Sequence, residues 1–362
     1  MQINPEIFFY IPKKSWPPEL PTKAKGFWHW QNSQAGAFRV GRYNWTLQAY
    51  LHLSEAGVSC QLVGAIPKKG IVLTHRDFVP RYFAPGDEVL FVCIQADRPK
   101  YPYAQFHIVQ NPQDDSKHSK PLCQSSLRRR NYHIKNWPQP DLIPRSELAG
   151  ERFKRIVHMG LPITLAPELQ TPEWSREISD LGLDWEIVSP DSWHDYSDVD
   201  AILSVRSFDY KGRYLYKPAA KLINAWHAGV PAILGPDSAF RAERQSELDY
   251  IEATSYEEVL AALKRLRDNP ALRAAMIENG RQRSRSTSIE SIVACWQTFL
   301  TDVAIPAYFD WCRQPKYRKQ WFRESLRIQE RLLNKYCRLR KRFFPSSKPA
   351  PDSTLDPIRR LI

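Results

Sequence analysis

Between Asp198 and Ser238 the sequence brings three cations to what reads as the start of one helix. Lys217 precedes Pro218, Lys221 follows one turn on, and Arg206 closes Val199–Val205, an apolar run that reads as a strand buried on both faces. Pro218 suits a first helical turn, Ala219–Ala228 are good helix formers, and Gly229 is placed to end the helix in a left-handed conformation. Val230–Leu234 then reads as a second buried strand, broken by Gly235-Pro236. The result is a βαβ unit with positive charge at the positive end of a helix dipole, where each lysine is mildly unfavourable. A phosphate or diphosphate docked on the free N–H groups reverses that balance. Asn224 falls three residues beyond Lys221 and seven beyond Lys217, on the same expected face, while Leu222, Ala225 and Trp226 turn inward. Ligands in α/β sheets sit beyond the carboxyl ends of strands, so Arg206, Gly235, Asp237 and Ser238 join the candidate anion site. The competing reading makes Lys217 and Lys221 solvated surface charges and pairs Arg206 with Asp209.

Other elements must position this unit. Glu6–Ile11 reads as an aromatic strand, followed by a long loop through residues 26–44 and a helix from Asn44 or Thr46 through Leu53–Glu55, closed by Gly57. Cys60–Ile66, Ile71–Thr74, Val89–Ile94 and His107–Gln110 are strand candidates of a mostly parallel sheet. Trp137–Pro144 (WPQPDLIP) is a semi-rigid connector, because each proline fixes its own φ and extends the residue before it. Arg128–Arg130, just before it, either face an anion or form a solvated charge run. Phe153–His158 and Trp185–Val188 read as strands, with Glu168–Leu181 a helix between them. Ser255 and Glu258 form a capping box for a helix over Tyr256–Arg267; Asn269-Pro270 starts another, stopped by Gly280; Ile289–Leu300 is the last helix of the body. The expected organisation is a first domain over 1–136, a linker over 137–150, a second domain over 151–300 and a basic helical tail over 301–362.

The segment KPAAKLINAWHAGVPAILGP resembles the nucleotide-sugar end of two-domain, GT-B type glycosyltransferases, in which a helix ending A-G-x-P leads into a strand and a donor-contacting loop. The similarity extends over about Ile3 to Phe299. It implies an α/β fold of two Rossmann-like domains facing a cleft, with the last body helix crossing back to the first domain. A nucleotide-diphosphate sugar would lie on the second domain and a saccharide or lipid-linked acceptor over the first. Basic side chains and a helix dipole would neutralise the leaving diphosphate, with no cofactor or metal. The resemblance also sends one to the histidines for a base: His75, oriented by Asp77, and His29, both expected at the cleft. Gly36, with Ala35 and Gly41, fits the glycine-bearing loop of the acceptor side, or is a turn residue. One departure matters, because many retaining members carry Glu where this chain has Asn224 and a second Glu near Tyr216. Phosphate binding therefore transfers better than sugar recognition or stereochemistry. Two rival readings follow: a catalytically silent nucleotide-sugar-binding or scaffold protein, and a peripheral membrane protein acting through its tail.

At 362 residues with 43% hydrophobic and 12% aromatic content, the chain can bury two ordinary cores. It has no run of eighteen apolar residues and no signal-like start, and its six cysteines, at 60, 93, 123, 295, 312 and 337, form no CxxC pair. Together these point to reduced thiols in a cytoplasmic protein. Of the net charge of +13, residues 301–362 carry +9, from fifteen Lys or Arg against six Asp or Glu. No nucleic-acid-binding motif is present. Within the tail, Phe322, Leu326, Gln329 or Leu333, and Tyr336 approximate one helical face, so residues 316–344 either lie on an anionic membrane or pack on the body.

Overall fold

The computed structural model describes residues 4–33, 41–79, 83–96, 98, 100–101, 103–112, 130–209, 214–325 and 327–328. One compact unit spans Met1–Cys312 and a second spans Arg313–Ile362. The second unit is helical over 316–325, and beyond Phe322 the expected apolar face lies outside the described residues.

The first unit holds two parallel sheets. One contains β1 (Ile7–Tyr10), β2 (Cys60–Val63), β3 (Lys69–His75), β4 (Glu88–Ile94), β5 (Phe106–Val109) and β6 (Arg130–His133), in the order β2-β1-β3-β4-β5-β6. The other contains β7 (Arg155–His158), β8 (Asp184–Ile187), β9 (Ala201–Ser204), β10 (Ala232–Leu234) and β11 (Ile251–Glu252), in the order β11-β10-β9-β7-β8. Every strand pairing is parallel, and the inner strands are buried on both faces, as their unbroken apolar runs require. The two-sheet α/β architecture is the one expected from the sequence. β6 is an addition: its sequence, RNYH, looked like the end of a charge run, and main-chain pairing to β5 makes it an edge strand. Arg128 and Arg129 lie outside the described residues.

Helices cover these sheets: α1 (Phe27–Ser33), α2 (Gly41–Glu55), α3 (Pro172–Asp180), α4 (Ala220–Ala228), α5 (Ser238–Glu243), α6 (Tyr256–Asp268), α7 (Pro270–Ser284), α8 (Ile289–Thr298) and α9 (Ile305–Arg313). α4 ends on Gly229 at φ 69°, the left-handed cap expected of it. At the start of α6, Ser255 Oγ accepts from Glu258 N at 3.2 Å while Glu258 Oε2 accepts from Thr254 N at 2.6 Å. Thus the return bond of the capping box falls one residue before the cap. Gly280 does not stop α7, which continues to Ser284. It is a close approach instead, since a Cβ there would lie 3.2 Å from Trp226 Cδ1 on α4.

The segment after α7 packs on the first sheet. Trp296 on α8 meets Phe9 of β1 at 6.5 Å between ring centroids, and Phe299, in the π-helical turn that follows, meets Tyr132 at 4.9 Å and Phe106 at 6.0 Å. The helical stretch Pro270–Arg313 is long and apolar enough to be counted as a possible membrane span by length and composition. A third of that window is buried, with Ile292, Val293, Trp296, Phe299 and Leu300 in the core.

Candidate functional site

In the second sheet the chain enters at β7, moves outward to β8, then returns to the opposite side of β7 as β9. Strand order therefore reverses between β7 and β9, and a crevice opens beyond their carboxyl ends. Four residues converge there. His158 ends β7, Gly160 follows it, Arg206 lies just past β9, and Lys221 stands in the first turn of α4. His158 bridges the two strands: Nδ1 donates to Leu203 O at 3.1 Å, and Nε2 lies 3.2 Å from Thr164 Oγ1. Burial and the nearby Lys221 push its imidazole down to about 3, so it is neutral.

The expected cation set is present, with two corrections. The helix starts at Ala220 with Ala219 as a cap that makes no side-chain bond. Lys217 consequently sits in the preceding turn, its N–H donating to Tyr214 O at 2.9 Å, and does not share the helix face of Lys221 and Asn224. Arg206 pairs not with Asp209 but with Asp237, Nε to Oδ2 at 2.7 Å, and both side chains are largely buried. Asp237, expected to touch the donor, thus holds the guanidinium. Burial, then Arg206 and Lys217, against the opposing pull of Asp237, bring the Lys221 ammonium from 10.5 to about 7. Lys221 thus stands under two cations and one carboxylate at a helix start without a side-chain cap, where the helix dipole is positive as well.

Lys221 and Asn224 open onto a cavity of about 360 Å³ between the two sheets. The first sheet's side contributes Trp28 and Gln31 of α1 and Gly41, Asn44, Trp45 and Gln48 of α2. The connector contributes residues 136–140, and the second sheet's side adds residues 159–161, Thr164, Trp193, Tyr196 and Ala220. Asn224 Oδ1 accepts from Gln139 N at 2.9 Å, so the residue that stands in place of a carboxylate clamps the connector to α4. Across the cavity Trp28 Nε1 donates to His194 Nδ1 at 3.0 Å.

The remaining candidates lie elsewhere. His75 is 3% exposed at the end of β3, with Nδ1 accepting from Asp77 N at 3.1 Å; Asp77 itself pairs with Arg98 at 2.8 Å. His29 is exposed on α1, a helix where a loop was expected. Neither histidine lines the cavity. Ser238 Oγ accepts from Asn111 Nδ2 at 2.9 Å, a contact from the second sheet's side to the first. Gly235 packs on Val205, where a Cβ would meet Cα at 3.4 Å. Gly36 lies outside the described residues. Among the described residues no three His, Cys, Asp or Glu side chains form a metal-binding group.

His158, Gly160, Trp45 and Gln48 belong to the site without having been read as such. The one signal available for the last two was the spacing of Gly41, Asn44, Trp45 and Gln48 on one helical face. For Gly160 no sequence signal exists, yet its position is strict: a Cβ would lie 2.7 Å from His158 Nε2, 3.0 Å from Thr164 Oγ1 and 3.1 Å from Lys221 Nζ. The imidazole is pinned by Leu203, so Lys221 must yield. Gly160→Ala is expected to weaken nucleotide binding about tenfold and to lower the melting temperature by a few degrees, as overpacking of about 1–3 kcal/mol would. Isothermal titration with UDP and a thermal melt check both, and unchanged values in both would remove Gly160 from the support of Lys221.

No protein-family model matches the chain, and no curated protein matches it in sequence. Solved structures are similar to it, at low identity. HepE of Anabaena in complex with UDP is 11% identical with a TM-score of 0.46, covering 82% of this chain and 100% of that one. The sucrose-phosphate synthase of Thermosynechococcus elongatus is 11% identical at a TM-score of 0.45, covering 65% and 73%. The pneumococcal O-GlcNAc transferase GtfA, in complex with UDP and GlcNAc, is 11% identical at 0.45, covering 72% and 60%. At TM-scores below 0.5 these likenesses are distant, and the fold stands on the sheet order and register given above.

Proposed function

We propose that this chain is a glycosyltransferase that takes a sugar from a nucleoside-diphosphate donor bound at the β7/β9 switch point and passes it to an acceptor in the cavity between the sheets. The observation that carries this reading is the field at Lys221: Arg206 and Lys217 work against its charge, Asp237 favours it, and the helix start beside it has no side-chain cap. A diphosphate brings negative charge to Lys221 and accepts hydrogen bonds from the helix N–H groups. In the transfer the bond from the anomeric carbon to the diphosphate oxygen breaks and the acceptor hydroxyl oxygen bonds to that carbon. No carboxylate or imidazole stands among the described lining residues, so the released diphosphate oxygen is the acceptor of the hydroxyl proton. The cations, in place of a metal ion, stabilise the charge that develops on it.

Thermal melts with UDP, GDP, ADP and CMP test the donor site. A ligand at 100 times its dissociation constant adds about 2.7 kcal/mol, which moves the midpoint by about 3–4 °C if the whole chain melts as one unit and by about 5–10 °C if a domain of about 150–250 residues melts by itself. One nucleotide is expected to stand out by several degrees, and a flat panel at millimolar concentration in phosphate-free buffer sinks the assignment. The same bare lining favours a second reading, a nucleotide-sugar binder without turnover. Loss of the stabilising donor over time, beyond its spontaneous hydrolysis, decides for the enzyme.

A further inference from the structure

The cavity wall is aromatic and amidic. Trp28, Trp45, Trp137 and Trp193 line it together with Asn44 and Gln48, and among the described lining residues there is no carboxylate and one cation, Lys221. Three of the indoles are already engaged: Trp28 with His194, Trp193 Nε1 with Val188 O at 3.0 Å, and Trp137 stacked on His52 at 4.6 Å. Trp45 differs. It is half-buried, and among the described residues it makes no hydrogen bond or ring contact. Three residues on, Gln48 is 3% exposed and lines the same cavity, and its amide hydrogen-bonds to none of the described residues. Its carbonyl and NH2 face the cavity without a protein partner among the described residues, which leaves an acceptor and two donors for a ligand there. The spacing of i and i+3 puts the idle indole and the idle amide on one face of α2.

The chemistry of this pair selects its occupant. A phosphorylated or acidic group would find only Lys221, and a lipid chain would leave Gln48 and Asn44 unpaired at a cost. A neutral pyranose presents an apolar C–H face to an indole and a ring of hydroxyls to amides. We infer that the cavity holds a neutral pyranose of the acceptor, stacked on Trp45 and hydrogen-bonded by Gln48. This inference rests on the glycosyltransferase reading for the role of the sugar but not for its binding.

A glycan array probed with the full chain in the presence of saturating UDP, covering neutral, sialylated, uronic and phosphorylated saccharides, tests it. Neutral glycans are expected to bind. Titration of the best of these should show Trp45→Ala weakening it by about tenfold or more and Trp45→Phe by less, since a smaller ring keeps part of the stack. Gln48→Leu, which keeps the volume and removes the amide, should abolish discrimination between that glycan and its deoxy analogue. Lys217→Ala, outside the cavity lining, should keep the array pattern while losing nucleotide affinity. A failed nucleotide site therefore leaves the saccharide result readable. An array that is flat or answers only to acidic glycans overturns the inference. So does a Trp45→Ala variant that binds the free glycan normally but loses the extra affinity of a UDP-sugar over UDP, because the ring on Trp45 would then be the donor's.

Discussion

Lys221→Ala is expected to weaken nucleoside-diphosphate binding at least tenfold and to raise, not lower, the melting temperature of the empty protein. Loss of a charge-assisted hydrogen bond costs about 1.5–3 kcal/mol in the complex. In the empty protein the same ammonium is half-buried among like charges, which is why it is held at about 7 in place of 10.5. Between those two values the folded chain binds fewer protons at this group than the unfolded chain does, so stability rises with pH across that window, and the penalty is complete below about 7. Alanine removes both the penalty and its pH dependence. Lys217→Ala, in the turn before the helix, should lose affinity with little change in melting. The pair of measurements separates a binding lysine from a structural one: unaltered affinity in both variants sinks the anion site, and a sharply lowered melting temperature for Lys221→Ala would show that the fold depends on it.

Much of this site was legible because local rules set it. Pro218, the alanine-rich run and Gly229 dictate a short helix with a left-handed cap, and the apolar runs on either side dictate strands buried on both faces. The cations beside that helix could be read as a cluster for the same reason. What escaped reading depends on which distant elements meet. Arg206 has acidic neighbours in sequence at Asp209 and in space at Asp237, and only the pairing of β9 with β10 brings the second within 2.7 Å. His75 looked like a base because the carboxyl end of a strand is where ligands gather, but the 3₁₀ turn that follows uses its Nδ1 as a cap and leaves it 3% exposed. Trp45 and Gln48 carry no motif at all. They become a site only when the connector, held by Asn224, closes over α2.

The affinity for UDP is expected to fall as pH rises from 7 to 9.5, approaching about tenfold per pH unit, because binding must return a proton to Lys221. In the empty protein the group is half-charged near pH 7; beside a diphosphate it is charged, as an opposite charge within contact distance requires. The nearby groups do not supply this slope. His158 is held neutral down to about 3, and the terminal phosphate, with a second pKa of about 6, is fully ionised above 7. Two variants isolate the source. Lys221→Arg, charged throughout, should flatten the profile while keeping affinity within a few fold at neutral pH; Lys221→Ala should flatten it at uniformly weak affinity. Titration calorimetry in buffers of different ionisation enthalpy gives the proton count directly, expected to rise from about half a proton taken up at pH 7 towards one near pH 8. Uptake near zero in the wild type at pH 8 would mean that Lys221 is already charged in the empty site, and the crowding of cations proposed to select a diphosphate would not be what selects it.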